Sequence, residues 1–221
     1  LGDVYKRQVM TLTAGAVAPQ GNVEVQAASG RVYVNPYSAT VVTYKPGSAL
    51  SRFSSVISIM GCSKAKEIKN LKSSNKYIKV APRDGYIRVE FGKKAAKSTI
   101  TCTVKGVKLK TTFTVKKYTN PCKTFKIGKT NLLSKFNKND VLRTNKAFKK
   151  QKLDIKLKSG WKISSVHVTS GTGSYNNYRV NKSSFSKKIT VSNNYGYIYV
   201  YCYNEKTKVS ECLQINTSTR Y

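Results

Sequence analysis

The sequence predicts an all-β protein of two tandem antiparallel β-sandwich domains, and three observations support this prediction. Apolar residues alternate with Lys, Arg, Ser or Thr along much of the chain, which is typical of strands with one face in water. Turn signals recur about every ten residues, as in sandwiches of short strands. No convincing helical period interrupts the first half of the chain.

Composition limits the function classes. The 221 residues include 41 Lys or Arg and 9 Asp or Glu, giving a net charge of +32, and 39% are apolar. This apolar content suffices for a buried core despite the charge. No apolar run reaches the length of about 18 residues that spans a membrane. Because His167 is the single histidine and the acids are scattered, we predict no enzyme, metal site or cofactor.

Residues 1–28 are predicted to lie outside the fold. Asp3 to Gln8 resembles the translation of a transposon end used in sequencing adapters, so we interpret Leu1 to Gln8 as a scar. The apolar run Val9 to Ala18 resembles a signal-peptide remnant cut after Ala27. A disordered or strand-forming start is the alternative. We therefore expect a secreted or cell-surface protein.

The first predicted domain covers residues 29–117. Its clearest strand is Val107 to Lys116, where Leu109, Phe113 and Val115 share one face. Asp84-Gly85 is a hairpin turn signal because Gly tolerates positive φ. The other predicted strands are Arg31 to Asn35, Val56 to Cys62, Ile68 to Ser73, Tyr77 to Ala81, Tyr86 to Phe91 and Thr99 to Lys105.

A linker at 118–123 separates this domain from a second sandwich at 124–217. Pro121 ends the alternation because proline donates no backbone hydrogen bond. Trp161 is expected to face the core together with Ile163, and Val141 to Phe148 could be a helix or a strand. The predicted strands are Thr124 to Ile127, Leu153 to Leu157, Trp161 to Val168, Lys188 to Val191, Tyr195 to Tyr203 and Val209 to Ile215.

Five short segments of the first half carry a family resemblance. They are Leu71-Lys72-Ser73-Ser74-Asn75, Ile78 to Val80, Asp84-Gly85-Tyr86-Ile87, Gly92-Lys93-Lys94-Ala95 and Ser98 to Val104. In this order, over residues 31–117, they resemble the bacterial Ig-like group 2 family. Ala96 stands where that family usually has Gly. The resemblance implies an Ig-like spacer or adhesion module of exported bacterial proteins without catalytic residues, and we leave open whether the second sandwich is Ig-like.

The positive charge has two interpretations. Lysines on the wet face of a sheet keep strand edges from pairing, so they can be mere solvated surface. A field this asymmetric also attracts polyanions, with a screening length of about 8 Å at physiological salt. We predict a non-catalytic structural or adhesion module whose Lys-rich faces contact anionic cell-wall or host glycans. No motif for specific nucleic-acid binding is present.

A tyrosine stripe gives the alternative function. Tyr195, Tyr197, Tyr199, Tyr201 and Tyr203 share one face of a predicted strand. Such rings either stack on sugars or stabilise the sheet through aromatic pairs. The alternative is thus a carbohydrate-binding module. Its candidate residues are Tyr197, Tyr199 and Tyr201, with Tyr175 and Tyr178 from a neighbouring Asn-rich loop.

The alternation of strand faces, here called strand parity, tests which of the five cysteines can pair. If Ile198 and Leu213 face the core, Cys202 points inward and Cys212 outward, so the two cannot bond. A link between Cys62 and Cys102 is one alternative, and mostly free thiols are the other. His167 lies between two core candidates on the opposite, wet face, where we expect it to be inert.

Overall fold

The computed structural model describes residues 32–171 and 173–217. The predicted scar and signal remnant at 1–28 lie outside these ranges. No helix in the described part of the chain is long and apolar enough to cross a membrane. The described residues form strands, short 3-10 turns and connecting loops.

Eight strands form the first sandwich. They are β1 (Tyr33–Val34), β2 (Val41–Tyr44), β3 (Arg52–Met60), β4 (Ile68–Ser73), β5 (Ile78–Arg83), β6 (Tyr86–Gly92), β7 (Ala96–Val104) and β8 (Val107–Lys117). One sheet has the order β1-β3-β6-β5 and the other β2-β8-β7-β4. Pairing is antiparallel except between β2 and β8. In chain order this is the ABED and CFG pattern of an immunoglobulin-like sandwich, with β2 added beside the last strand.

Nine strands form the second sandwich. They are β9 (Cys122–Ile127), β10 (Thr130–Asn131), β11 (Val141–Thr144), β12 (Phe148–Leu157), β13 (Trp161–Thr169), β14 (Tyr175–Lys182), β15 (Ser184–Val191), β16 (Gly196–Asn204) and β17 (Val209–Thr217). The sheet orders are β10-β9-β12-β15 and β11-β17-β16-β13-β14. Only the β11–β17 pairing is parallel.

The two sandwiches differ in the placement of one strand, and the second also has the additional short strand β10 beside β9. In the first, β5 pairs with β6, which places it in the same sheet as β3. In the second, the corresponding strand β14 pairs with β13 and so joins the opposite sheet. The result is a five-stranded sheet with a broad outer face.

Each sandwich has its own hydrophobic cluster. The first is built from buried residues between Val34 and Val115, with Ile57 and Phe113 fully enclosed. The second draws on residues between Tyr118 and Ile215, including Phe125 and Phe136. Burial alternates along β7, β8, β16 and β17, as the sequence pattern predicts. The domain limits at 117 and 124 stay a prediction.

Some elements differ from the sequence prediction. The strand β2 was not predicted, and β9 begins at Cys122, inside the predicted linker. The undecided segment Val141 to Phe148 contains the short strand β11. The Asn-rich loop starting at Tyr175 is in fact the edge strand β14. The strands β2 and β14 lie at sheet edges, and neither sequence shows the clear apolar alternation by which we recognised the other strands.

Candidate functional site

The outer face of the five-stranded sheet carries the tyrosine stripe. In β16, Ile198 and Val200 are fully buried, so Tyr197, Tyr199 and Tyr201 point outward and are half-buried. The rings of Tyr197 and Tyr199 stack at 4.5 Å between centroids. Tyr199 and Tyr201 meet edge to face at 6.5 Å. The alternation of β16 alone places these rings, as the sequence predicts.

His167 connects this aromatic ladder to Tyr175. It lies on β13 directly opposite Tyr199, and its ring is 4.9 Å from that of Tyr201. Its Nδ1 and the Tyr175 hydroxyl are 3.1 Å apart, and its Nε2 is 3.1 Å from the Ser165 hydroxyl. Burial lowers the pKa of His167 below its usual value, which favours the neutral ring. The sequence correctly predicts that His167 lies on the outer face, but these hydrogen bonds to Tyr175 and Ser165 were not predicted.

Tyr178 and Tyr195 do not belong to the ladder. Tyr178 pairs with Val166 and packs its ring 5.3 Å from Phe185, so it faces the core side of the sheet. The prediction that it neighbours the glycan platform is wrong, because a strand at this position alternates its faces. Tyr195 precedes β16 with φ of 55° and is exposed.

The ring arrangement limits what the ladder can bind. Because Tyr197 and Tyr199 stack on each other, each covers one ring face of its neighbour. They stabilise the sheet as an aromatic pair and present edges and hydroxyls to solvent. Tyr175 is different, since 54% of it is exposed while His167 fixes its hydroxyl. It is therefore the ring of this face best placed to meet a sugar.

A second cluster joins the two sandwiches. Lys45 follows β2, and its ammonium forms an ion pair with Glu211 on β17 and lies 3.3 Å from a carboxylate oxygen of Asp140. Thr43 donates its hydroxyl to Glu211 at 2.6 Å. The Lys45 ammonium also lies 4.5 Å from the ring centroid of Tyr118. Residues far apart in sequence thus form one charged network between the domains.

The network is buried. The side chain of Lys45 is 13% exposed and that of Glu211 is 2% exposed. Burial raises the pKa of Glu211, although the neighbouring Lys45 ammonium opposes the shift. The sequence prediction missed this cluster. The one feature of the sequence that points to this cluster is Glu211, which occupies an inward position of β17 between the apolar residues Val209 and Leu213.

All five cysteines are free thiols. Cys202 is buried opposite Glu211, and Cys212 pairs with Tyr201 on the outer face, so the parity prediction is confirmed. Cys62 and Cys102 form no disulfide in the structure. Burial raises the pKa of Cys102 to about 11, which makes its thiol unreactive at neutral pH.

Comparisons with known proteins return structural likenesses only. No family model matches the chain, and no curated protein matches it. The fibronectin(III)-like modules of Clostridium thermocellum CbhA are 15% identical, with a TM-score of 0.34 over 85% of this chain and 94% of theirs. The D0-D1 domain of intimin is 10% identical, with a TM-score of 0.27 over 81% and 95%. The Yersinia pseudotuberculosis adhesin InvE is 12% identical, with a TM-score of 0.22 over 80% of this chain and 56% of that one. Likenesses of this degree assign no function to the chain.

The charge is unevenly compensated. Asp3 and Glu24 lie outside the described ranges, and five of the remaining seven acids form ion pairs. These pairs engage Lys45, Arg88, Lys105 and Lys162. No group of three or more potential metal ligands occurs among the residues that the structure describes. The other lysines stand mainly on the outer faces of the sheets.

Proposed function

We propose that this chain is a non-catalytic structural and adhesion module of an exported surface protein, whose Lys-rich faces hold anionic polymers. The observation that carries the proposal is the excess of exposed lysines over acids on the sheet faces, since most described acids are already paired. An unbalanced positive face lowers the free energy of an adjacent polyanion and releases its counterions.

The junction supports the spacer part of the proposal. Besides the Lys45 network, the backbone N–H of Gly47 donates to the Lys138 carbonyl at 2.8 Å. Asn120 in the linker donates from Nδ2 to the Leu133 carbonyl at 3.0 Å. A junction held by a buried ion-pair network together with these hydrogen bonds resists bending, so it keeps two binding faces at a fixed separation.

Binding to purified bacterial cell wall is expected to be strongly salt-dependent. With about five lysines in contact with a flexible polyanion, log K falls with log[salt] at a slope of about −3.5. Sedimentation with cell wall should therefore show affinity dropping roughly a hundredfold from 50 to 200 mM salt. Neutral dextran is the control and should not sediment the protein. Salt-independent binding, or none at low salt, would contradict the proposal.

A second candidate function rests on Tyr175. We infer a carbohydrate-binding face in which the exposed Tyr175 ring stacks on a sugar, while Tyr197, Tyr199 and Tyr201 form the adjoining wall. The amide side chains of Asn177 and Gln214 share this face, because β14 and β17 place them in the same row as Tyr199. Aromatic stacking with polar neighbours suits neutral sugars.

Tyr175→Ala is expected to weaken neutral-glycan binding about tenfold, the loss of one aromatic contact. A glycan array, with titration of the best ligand, measures it, and the loss should not change with salt. Tyr37→Ala is the matched control because Tyr37 is 69% exposed on the first sandwich. Equal losses in both variants, or no glycan binding by the wild type, would rule out this candidate.

A further inference from the structure

One sheet of the first sandwich carries positive charge without any acid. The strands β2, β4, β7 and β8 contain seven lysines and no Asp or Glu. The acid nearest in sequence is Glu67, just before β4. Its carboxylate accepts backbone N–H groups of Ser63 and Lys64 and pairs with Lys105 at 3.5 Å. That charge is therefore already compensated.

A β-bulge aligns two of these lysines. Lys69 pairs with Thr103 and Lys72 with Thr101, so β4 advances three residues while β7 advances two. In a regular strand, residues three apart point to opposite faces. Here Asn70 takes a φ of 53°, which Asn tolerates better than most residues, and both lysines are exposed on the outer face.

The bulge completes two parallel rows across the sheet. Thr101 pairs with Lys110 and Thr103 with Lys108, so each row runs lysine, threonine, lysine from β4 through β7 to β8. Each row spans about 10 Å, two strand spacings, and the rows lie about 7 Å apart. Lys72, Lys108 and Lys110 line an open groove of about 510 Å³ together with both threonines.

The lysine-rich face of the second sandwich, unlike that of the first, contains a carboxylate. In the sheet of β9, β12 and β15, the central strand carries Asp154, which pairs in register with Lys126. A carboxylate in the middle of a face lowers its potential and repels a bound anion. That sheet therefore attracts a polyanion less strongly per lysine. It also supplies an exposed cross-strand pair, Lys152 and Lys188, as a matched control.

We propose that the two lysine–threonine rows are the binding site for a phosphate-bearing, base-free polymer, in which phosphodiesters alternate with polyol units. This inference rests on the proposed function and specifies its site and ligand. Ammonium groups pair with phosphate, and the threonine hydroxyls between them donate to phosphate or polyol oxygens. The outer face of these strands carries no aromatic ring on which a nucleic-acid base could stack.

The test uses the whole protein and poly(glycerol phosphate) as the probe, with affinity measured across a salt series. Lys72→Gln/Lys110→Gln should weaken binding about thirtyfold, on the basis of roughly 1 kcal/mol per lysine near an anionic surface. The slope of log K against log[salt] should become about 1.4 smaller in magnitude. Lys152→Gln/Lys188→Gln removes the same charge and should weaken binding less than about threefold. Thr101→Val should weaken it about fivefold with an unchanged slope.

The outcomes separate the site from the proposed function. Equal losses in the two double variants would overturn the site while leaving a diffuse polyanion-binding module. The base-free ligand would be overturned if the wild type bound single-stranded DNA more tightly than poly(glycerol phosphate) and if Lys72→Gln/Lys110→Gln lost that DNA binding. Binding to cell wall without binding to poly(glycerol phosphate) would also overturn it. If the wild type binds no anionic polymer at low salt, the proposed function fails as well.

Discussion

Lys45→Met is expected to lower the free energy of unfolding of the second sandwich by about 3 kcal/mol, although Lys45 belongs to the first. The substitution leaves the Glu211 carboxylate, 2% exposed, without its ammonium partner. A buried charge that loses its partner pays the desolvation cost without the Coulomb gain. Trp161, the single Trp, packs against the second core. Urea unfolding followed by its fluorescence therefore measures the effect.

An exposed ion pair gives the matched control. Lys162 and Glu205 lie 2.7 Å apart, with side chains 42% and 53% exposed. Lys162→Met should change the unfolding free energy by less than about 0.5 kcal/mol, because water screens such pairs. If Lys45→Met leaves the urea midpoint of the Trp161 fluorescence transition unchanged, the junction does not couple the two sandwiches.

Acid titration checks the same cluster independently. Burial raises the folded-state pKa of Glu211 above its ordinary 4.5. Its contribution to stability is therefore fully present below pH 4.5 and is lost as the pH rises through the raised pKa. As the pH rises from 4.5 through the raised pKa of Glu211, the free energy of unfolding of the wild type, relative to that of Glu211→Gln, should fall. An increase with pH would show that Lys45 outweighs burial.

Phe136→Ala is expected to destabilise the second sandwich by about 3–4 kcal/mol. Phe136 ends the 3-10 turn Leu133–Phe136, is fully buried and packs its ring 4.8 Å from that of Phe125. Its removal loses apolar burial and leaves a cavity that the stiff sheets on either side cannot close.

The same Trp161 fluorescence transition in urea measures this loss. Leu50→Ala is the control, because Leu50 is 63% exposed and its truncation should cost less than about 0.5 kcal/mol. A cost below about 1 kcal/mol for Phe136→Ala would show that the turn collapses into the space instead.

Much of the fold could be predicted from the sequence, but the sites only partly. The strand β4 matches its predicted limits, Ile68 to Ser73, and the β5–β6 hairpin forms at Asp84-Gly85 as predicted. The bulge at Asn70 was not predicted, because Ile68 to Ser73 was interpreted as a regular strand, in which Lys69 and Lys72 would point to opposite faces. Tyr178 was assigned to the wrong face because its segment was interpreted as a loop.

For the strands that alternate regularly, the sequence by itself determined which side is wet and which enters a core. That property is local, because successive side chains alternate faces wherever the backbone is extended. It fixed the outward tyrosines of β16 and the inward Cys202. The tertiary structure alone decided that β14 joins the sheet of β13 and that Lys45 meets Glu211 and Asp140. These contacts depend on how separate sheets pair and pack, and the energy of such long-range contacts leaves no periodic trace in the chain.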